Sequence, residues 1–185
     1  MNATRAVDPA SRIRNAVEAD IPRIIEIYAH YVEIIVATFE EVPPDKIEIA
    51  GRFIRITELG LPWLVLEDAA GVQGYTYAAP FRDRSAYRFT VEDSIYIAPD
   101  RQRRGYSEVL LGELIARCEA IGKRQMIAVV GGSDSNVSIS PHSRLGFRVA
   151  GVLPSAGLKF GAWADSVLMT RTLAAGDSTP PADNS

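Results

Sequence analysis

The chain has 185 residues, enough for one compact domain whose core needs no disulfide or metal to hold it. Its 20 Lys and Arg stand against 23 Asp and Glu, a formal charge of −3, which removes the global basic field that attracts nucleic acid or anionic lipid. One cysteine, Cys118, and two histidines, His30 and His142, allow neither an internal disulfide nor a zinc-ligand spacing, so a reducing cytoplasm, no metal and small-molecule work are expected.

Residues 1–10 are small and polar and read as a flexible start without a signal-type apolar stretch. In EADIPRIIEIYAHYV, Asp20 is placed to cap a helix with Pro22 in its first turn, and Ile21, Ile24, Ile25, Tyr28 and Val32 recur at helical spacing. A second helix is predicted over Pro44 to Leu59, stopping at Gly60. PWLVLED and VQGYTYAAP follow as two strands of a hairpin turning near Gly71. Thr90 to Ala98, TVEDSIYIA, is a third strand of this group, closed by Pro99, which cannot donate to a ladder. SEVLLGELIARCEAIG is a helix with Val109, Leu110, Leu114 and Cys118 near one stripe and Gly122 at its end. MIAVV is a buried strand, residues 134–145 a short helix ending before Gly146, and RVAGVLPS and DSVLMTRTL two closing strands. No window reaches the ~18 apolar residues of a membrane span. The tail 174–185 carries Pro, Gly and Ser without bulky apolar residues and reads as disordered, leaving 11–173 as a single domain. The order β α α β β β α β α β β suits an α/β (α+β) fold with a mixed sheet flanked by helices, rather than a doubly wound parallel sheet.

The stretch SIYIAPDRQRRGYSEVLLGEL carries the most chemistry: a strand ends at Pro99, a basic loop with Gly105 follows, and a helix begins. Unpaired amides and the helix dipole favour an anion there, Gly105 admits close approach, and Arg101, Arg103 and Arg104 add positive charge. Locally the pattern serves equally as a basic loop that only caps a helix. It is neither a Walker A loop nor a G-x-G-x-x-G turn, so ATP and NAD lose support.

Gln102-Arg103-Arg104-Gly105-Tyr106-Ser107 resembles the Q-R-x-G-x-G/A pyrophosphate loop of the GCN5-related N-acetyltransferase (GNAT) superfamily. Thr90 to Ile97, Ser138 to Phe147 (SISPHSRLGF) and Leu158 to Asp165 (LKFGAWAD) join it, as do Ile13-Arg14, His30-Tyr31, Thr38-Phe39-Glu40 and Pro62 to Val65. Together they resemble the phosphinothricin and methionine sulfoximine N-acetyltransferases over nearly all of the folded part. The resemblance implies the GNAT fold, a central mixed but mostly antiparallel sheet flanked by helices. It also implies acetyl-coenzyme A as co-substrate, a small-molecule amine acceptor, a role in resistance to such compounds, and a homodimer.

By the same resemblance, Ser94, Ile95, Tyr96 and Ile97 lend backbone groups to the pantetheine arm, residues 102–107 hold the pyrophosphate, and Ser135 or Asn136 contacts the cofactor. Glu92 matches the general base, and an ammonium must lose a proton before its nitrogen can attack a thioester. A solvated Glu92, or one paired with Arg82 or Arg84, is the bland alternative, and Asp93 falls on the opposite strand face. Arg82 and Arg84 suit an acceptor carboxylate, with Phe39, Phe81 and Tyr87 around its side chain. Surface roles for these arginines are the alternative. Lys159-Phe160-Gly161, with Trp163 and Asp165, resembles a segment that reaches a dimer partner's active site. Trp63 and Trp163 are expected in packing, Cys118 in inert core, and His30 and His142 in structural positions, although the resemblance puts His142 near the thiol end of the cofactor.

Three positions depart from the family pattern: Ser107 stands for the second loop glycine, Pro141 for an aliphatic residue, and Ser135 for an asparagine that Asn136 adjoins. Pro141 is expected to end or kink its helix. Two other readings remain open. One is a peptide or protein amine as acceptor; the other is an acyl-coenzyme A sensor or interaction module without catalysis.

Overall fold

The computed structural model describes residues 7–132 and 136–181, with the backbone alone at 136–138. Its elements run β1 (Arg12–Asn15), α1 (Ile21–Ile34), α2 (Lys46–Glu58), β2 (Trp63–Asp68), β3 (Gly71–Pro80), β4 (Thr90–Ile97), α3 (Tyr106–Ala120), β5 (Gln125–Gly131), α4 (Asn136–Arg144), β6 (Arg148–Lys159) and β7 (Ala162–Thr172). The strands form one sheet in the order β1-β2-β3-β4-β5-β7-β6. Every neighbouring pair is antiparallel except β4 with β5. The mixed, mostly antiparallel sheet with flanking helices agrees with the architecture expected from the sequence.

The strand sequences explain which part of the sheet is covered. Trp63, Leu64, Val65 and Leu66 are buried in succession, so β2 is packed on both faces. Helices α2 and α3 pack on β2, and α1 packs on β3 and β4. From α1, Ile21, Ile24, Ile27, Tyr28 and Val32 enter the core; from α3, Leu110, Leu111, Leu114, Ile115 and Cys118 do. Cys118 is buried with its thiol pushed up to about 12, chiefly by burial, consistent with inert packing.

Asp20 does not cap α1 through its side chain. Its carboxylate takes two bonds from the Arg14 guanidinium, at 2.6 and 2.8 Å, and one from the Val17 amide at 2.9 Å. An arginine fork outcompetes a single helix amide for a carboxylate. Asp45 instead caps α2, accepting from the Glu48 amide at 2.8 Å.

Pro141 lies inside α4 without ending it; the helix continues to Arg144. Its end is set by Gly146, at φ 84°, which lets the Phe147 amide turn back to the His142 carbonyl at 3.1 Å. The last hairpin is longer than the sequence pattern suggests. Lys159 pairs with Ala162, and Phe160 and Gly161 have φ of 52° and 74°, as in a two-residue I′ turn. Further back, Ser155 has φ 52°, its amide donates to Asp165 Oδ1 at 2.9 Å, and the register slips between Leu153 and Gly157.

Candidate active site

The ladder between β4 and β5 is short, running from Thr90↔Gln125 to Asp93↔Ala128. Beyond it β4 continues beside β3 and β5 beside β7, and a cleft opens between them. Ser94, Ile95 and Tyr96 line one side and Val129, Val130 and Gly131 the other; Ala37, Thr38 and Phe39 from the α1–α2 loop, with Tyr31, Glu92, Asp93 and His142, complete it.

Glu92 is half-buried at the point of divergence. Burial raises its proton affinity above the ordinary carboxylate range, the Asp93 charge adds to this, and Arg82 pulls the other way. Asp93 and His142 are both buried, and His142 Nε2 lies 2.9 Å from Asp93 Oδ2. The His142 ring packs edge-on against Phe147, with centroids 5.0 Å apart. Asp93 Oδ1 is buried without a hydrogen-bond partner among the described residues. Although strand alternation points Asp93 away from Glu92, both residues border the cleft.

The expected cofactor-binding residues occupy two adjoining places. Ser94 to Ile97 form the end of β4; the Ser94 carbonyl accepts from Thr76 Oγ1 at 2.8 Å. Both backbone groups of Ile97 are engaged by the Tyr31 hydroxyl, which donates to its carbonyl at 2.8 Å and accepts from its amide at 3.1 Å. Gln102 Nε2 donates to the same hydroxyl at 3.2 Å, tying the loop to the strand. In the sequence Tyr31 stands out only within the His30-Tyr31 resemblance; its place three residues after Tyr28, on the apolar stripe of α1, is the signal for an inward hydroxyl.

The loop then turns sharply. Arg103 has φ 58° and is exposed, Arg104 donates to the Asp100 carbonyl at 3.0 Å, and Gly105 begins α3 at φ 81°. The side chain of Tyr106 is buried in the core, so its backbone alone faces the loop. Ser107 Oγ donates to Glu108 at 3.0 Å. Burial tends to raise the Glu108 carboxyl, but its own backbone amide, Ser107 and Arg144 outweigh this and hold it below the ordinary range. A carboxylate already favoured at this helix start, with a left-handed glycine before it, fits an anion-binding role. Together, the gap beside Ser94 to Tyr96 and the α3 N-terminus fit an extended arm ending in a pyrophosphate. Ser135 lies outside the described residues, and Asn136 is the first residue of α4, described by its backbone.

Phe39 lines the cleft, but Phe81, Arg82, Arg84 and Tyr87 stand in the β3–β4 loop outside its wall. Arg82, Arg84 and Tyr87 are exposed. Phe81 and Tyr87 meet edge to face at 5.7 Å, and the Arg82 guanidinium lies 5.1 Å over the Phe81 ring. Trp63 is buried as expected, but Trp163, expected in packing, is 68% exposed. Lys159 is 2% exposed, a burial that no local pattern announces.

Comparison with known proteins agrees with this geometry. The acetyltransferase (GNAT) domain family matches residues 13–168. The chain is 51% identical over 172 residues to a phosphinothricin N-acetyltransferase of Alcaligenes faecalis, covering 93% of this chain and 87% of that one. It is 37% identical over 172 residues to an L-methionine sulfoximine/L-methionine sulfone acetyltransferase of Pseudomonas aeruginosa, covering 92% and 99%. A GNAT superfamily phosphinothricin acetyltransferase of Sinorhizobium meliloti, crystallised with AcCoA, has the same fold with a TM-score of 0.91, 46% identity and 95% coverage of both chains. Nearly the whole length of the chain takes part in these likenesses, and it belongs to the GNAT acetyltransferases.

Proposed function

We propose that the chain acetylates the primary amine of a small amino-acid-like acceptor, of the phosphinothricin, methionine sulfoximine or methionine sulfone type. The observation that carries this reading is Glu92, half-buried at the mouth of the β4–β5 gap with its proton affinity raised. Acetyl-coenzyme A supplies the acyl group as an activated thioester. Glu92 takes a proton from the acceptor ammonium, freeing the nitrogen lone pair for direct attack; the C–N bond forms, the C–S bond breaks, and the departing coenzyme A thiolate takes up the proton that the acylated nitrogen loses. A carboxylate with raised proton affinity is the better base near neutral pH. Ser94 to Ile97, residues 102–107 and the stretch around Ser135 and Asn136 hold the co-substrate. Arg82 and Arg84 receive the acceptor carboxylate, and Phe39, Phe81 and Tyr87 surround its side chain.

The same proposal places the activity in the cytoplasm, in residues 11–173 as one domain, and in a homodimer, with resistance to such compounds as the outcome. Exposed apolar residues support the dimer: Val152, Leu153, Leu158, Phe160 and Trp163 on the last hairpin are each 46% exposed or more. Sedimentation at micromolar concentration tests it, a monomer throughout being the adverse result. No helix among the described residues is long and apolar enough to cross a membrane.

Thiol release from acetyl-coenzyme A, with methionine sulfoximine, phosphinothricin, common amino acids and a short peptide as separate acceptors, tests the activity. Release with the first two supports the reading. Release with the peptide alone moves the acceptor to a protein amine, and silence with all, alongside cofactor binding, favours a sensor.

A further inference from the structure

Lys159 ends β6 with its side chain buried inside the molecule, its ammonium aimed at three backbone carbonyls. Nζ donates to Thr38 at 2.7 Å, to Ile35 at 2.8 Å and to Tyr31 at 3.4 Å. Tyr31 and Ile35 lie at the C-terminal end of α1, where the Tyr31 carbonyl also accepts from the Ile35 amide at 3.3 Å and the helix dipole favours a cation. Thr38 lies in the loop that walls the cleft. Burial works against the charge, and Glu40 and Glu41 work for it. A lysine is costly to bury unless its donors are used. Here its three hydrogens meet three acceptors, all from one end of one segment.

Two further contacts hold that segment against the same part of the sheet. A Cβ added at Gly157, on β6, would come within 2.3 Å of the Phe39 ring, so the ring lies directly on the glycine. A Cβ at Gly131, on β5, would come within 2.2 Å of the Val36 carbonyl oxygen. The I′ turn at Phe160 and Gly161 fixes where Lys159 stands. Residues 35–39 are thus pinned at several points to β5 and β6, and their inner side faces the cleft that Glu92 shares.

We infer that Lys159 is a positioning residue for the acceptor: its ammonium fixes residues 35–39 against the last hairpin and so sets the wall formed by Ala37, Thr38 and Phe39. This rests on the acceptor reading above. The cofactor side of the cleft is built from β4 and the α3 loop, which Lys159 reaches only through the Tyr31 carbonyl, the longest of its three contacts at 3.4 Å. Its two short bonds go to Ile35 and Thr38, beside the acceptor wall, so its removal acts chiefly on the acceptor.

Lys159→Met keeps much of the volume and removes all three donors; Gly157→Ala keeps the ammonium and displaces the Phe39 ring. For each, kcat/KM toward methionine sulfoximine falls on the order of 10- to 100-fold, since small misplacements of a binding wall carry such costs. The dissociation constant for acetyl-coenzyme A, measured by calorimetry, stays within about twofold, as expected for independent contacts. In Lys159→Met, amides of residues 36–39 exchange hydrogen faster while those at the α3 start do not change. Equal loss on both substrates, an unchanged acceptor kcat/KM, or undisturbed exchange at 36–39 overturns the inference. If Lys159→Met does not fold, Gly157→Ala decides by the same kinetic split. Wild-type protein that releases no thiol with methionine sulfoximine sinks the acceptor reading instead, and the exchange measurement still decides whether the clamp exists.

Discussion

His142 Nε2 and Asp93 Oδ2 stand 2.9 Å apart in a buried contact at the cleft, one residue along the strand from Glu92. Asp93 adjoins Glu92 in sequence, and its charge is the second cause of the raised Glu92 proton affinity, after burial. Asp93→Asn removes it, so Glu92 ionises at lower pH and the acid limb of kcat/KM moves down. Arg82 opposes the rise, so Arg82→Ala moves the limb up. A pH profile of each variant checks the pair of signs; shifts in the same direction would contradict this electrostatic account.

Under the proposed mechanism, Glu92→Gln removes the base while keeping the shape. Turnover falls by roughly 10²- to 10⁴-fold, the usual contribution of a positioned base, while acetyl-coenzyme A affinity is retained. Stability moves the other way. A carboxyl whose folded proton affinity is raised opposes folding at pH values above its unfolded pKa of about 4.3, because the charged form prefers the unfolded chain. The Gln variant should therefore melt higher at pH 7, with the gain disappearing below about pH 4 as Glu92 becomes neutral in both states. Thermal scans at the two pH values measure this.

Gly105 carries φ 81° at the first turn of α3, where a Cβ would also lie 3.3 Å from Val7 Cγ2. A β-branched residue is strained in this conformation, by about 1–3 kcal/mol. Gly105→Val should weaken acetyl-coenzyme A binding about tenfold or more, since about 1.4 kcal/mol corresponds to that factor. Equal affinity by calorimetry would place the pyrophosphate elsewhere.

Arg14 bridges Asp20 and Glu67, and Asp20 is 7% exposed. Arg14→Ala leaves the Asp20 carboxylate without its main partner and should cost roughly 2–3 kcal/mol, as for charged hydrogen bonds. Arg14 holds both carboxyls below their ordinary range. Their contribution is complete above the unfolded carboxyl pKa of about 4 and is lost as pH falls through the folded values. The wild-type advantage over Arg14→Ala in denaturant titrations should accordingly shrink below pH 4.

Element order and sheet class were legible because each segment carried its own period and stop signal, such as Gly60 after α2 and Gly122 after α3. Glu92 and Gly105 were legible through a resemblance carried by contiguous residues. What escaped was long-range. Lys159 is charged and followed by a turn, which reads as surface, and only the fold brings the α1 carbonyls to it. Asp93 meets His142 across 49 residues of chain. Trp163 followed the opposite path: a large aromatic suggests a core, whereas it projects from the hairpin into solvent. Pro141 suggested a broken helix, yet it is the sixth of the nine residues of α4 and the helix runs on to Arg144.

The short ladder between β4 and β5 also has a consequence for the folded state itself. Past Asp93 and Ala128 the sheet has, in effect, two interior edges, a liability that proteins otherwise cover or abolish. On the proposed site, the amide-bearing arm of the co-substrate would act as a surrogate strand in that gap, completing the sheet as well as loading the enzyme. Ligand at 100 times its dissociation constant adds about 2.7 kcal/mol to the bound form. Starved of acetyl-coenzyme A, the protein should thus be easier to unfold and readier to pair with stray strands, making its persistence in a cell depend on acyl-donor supply.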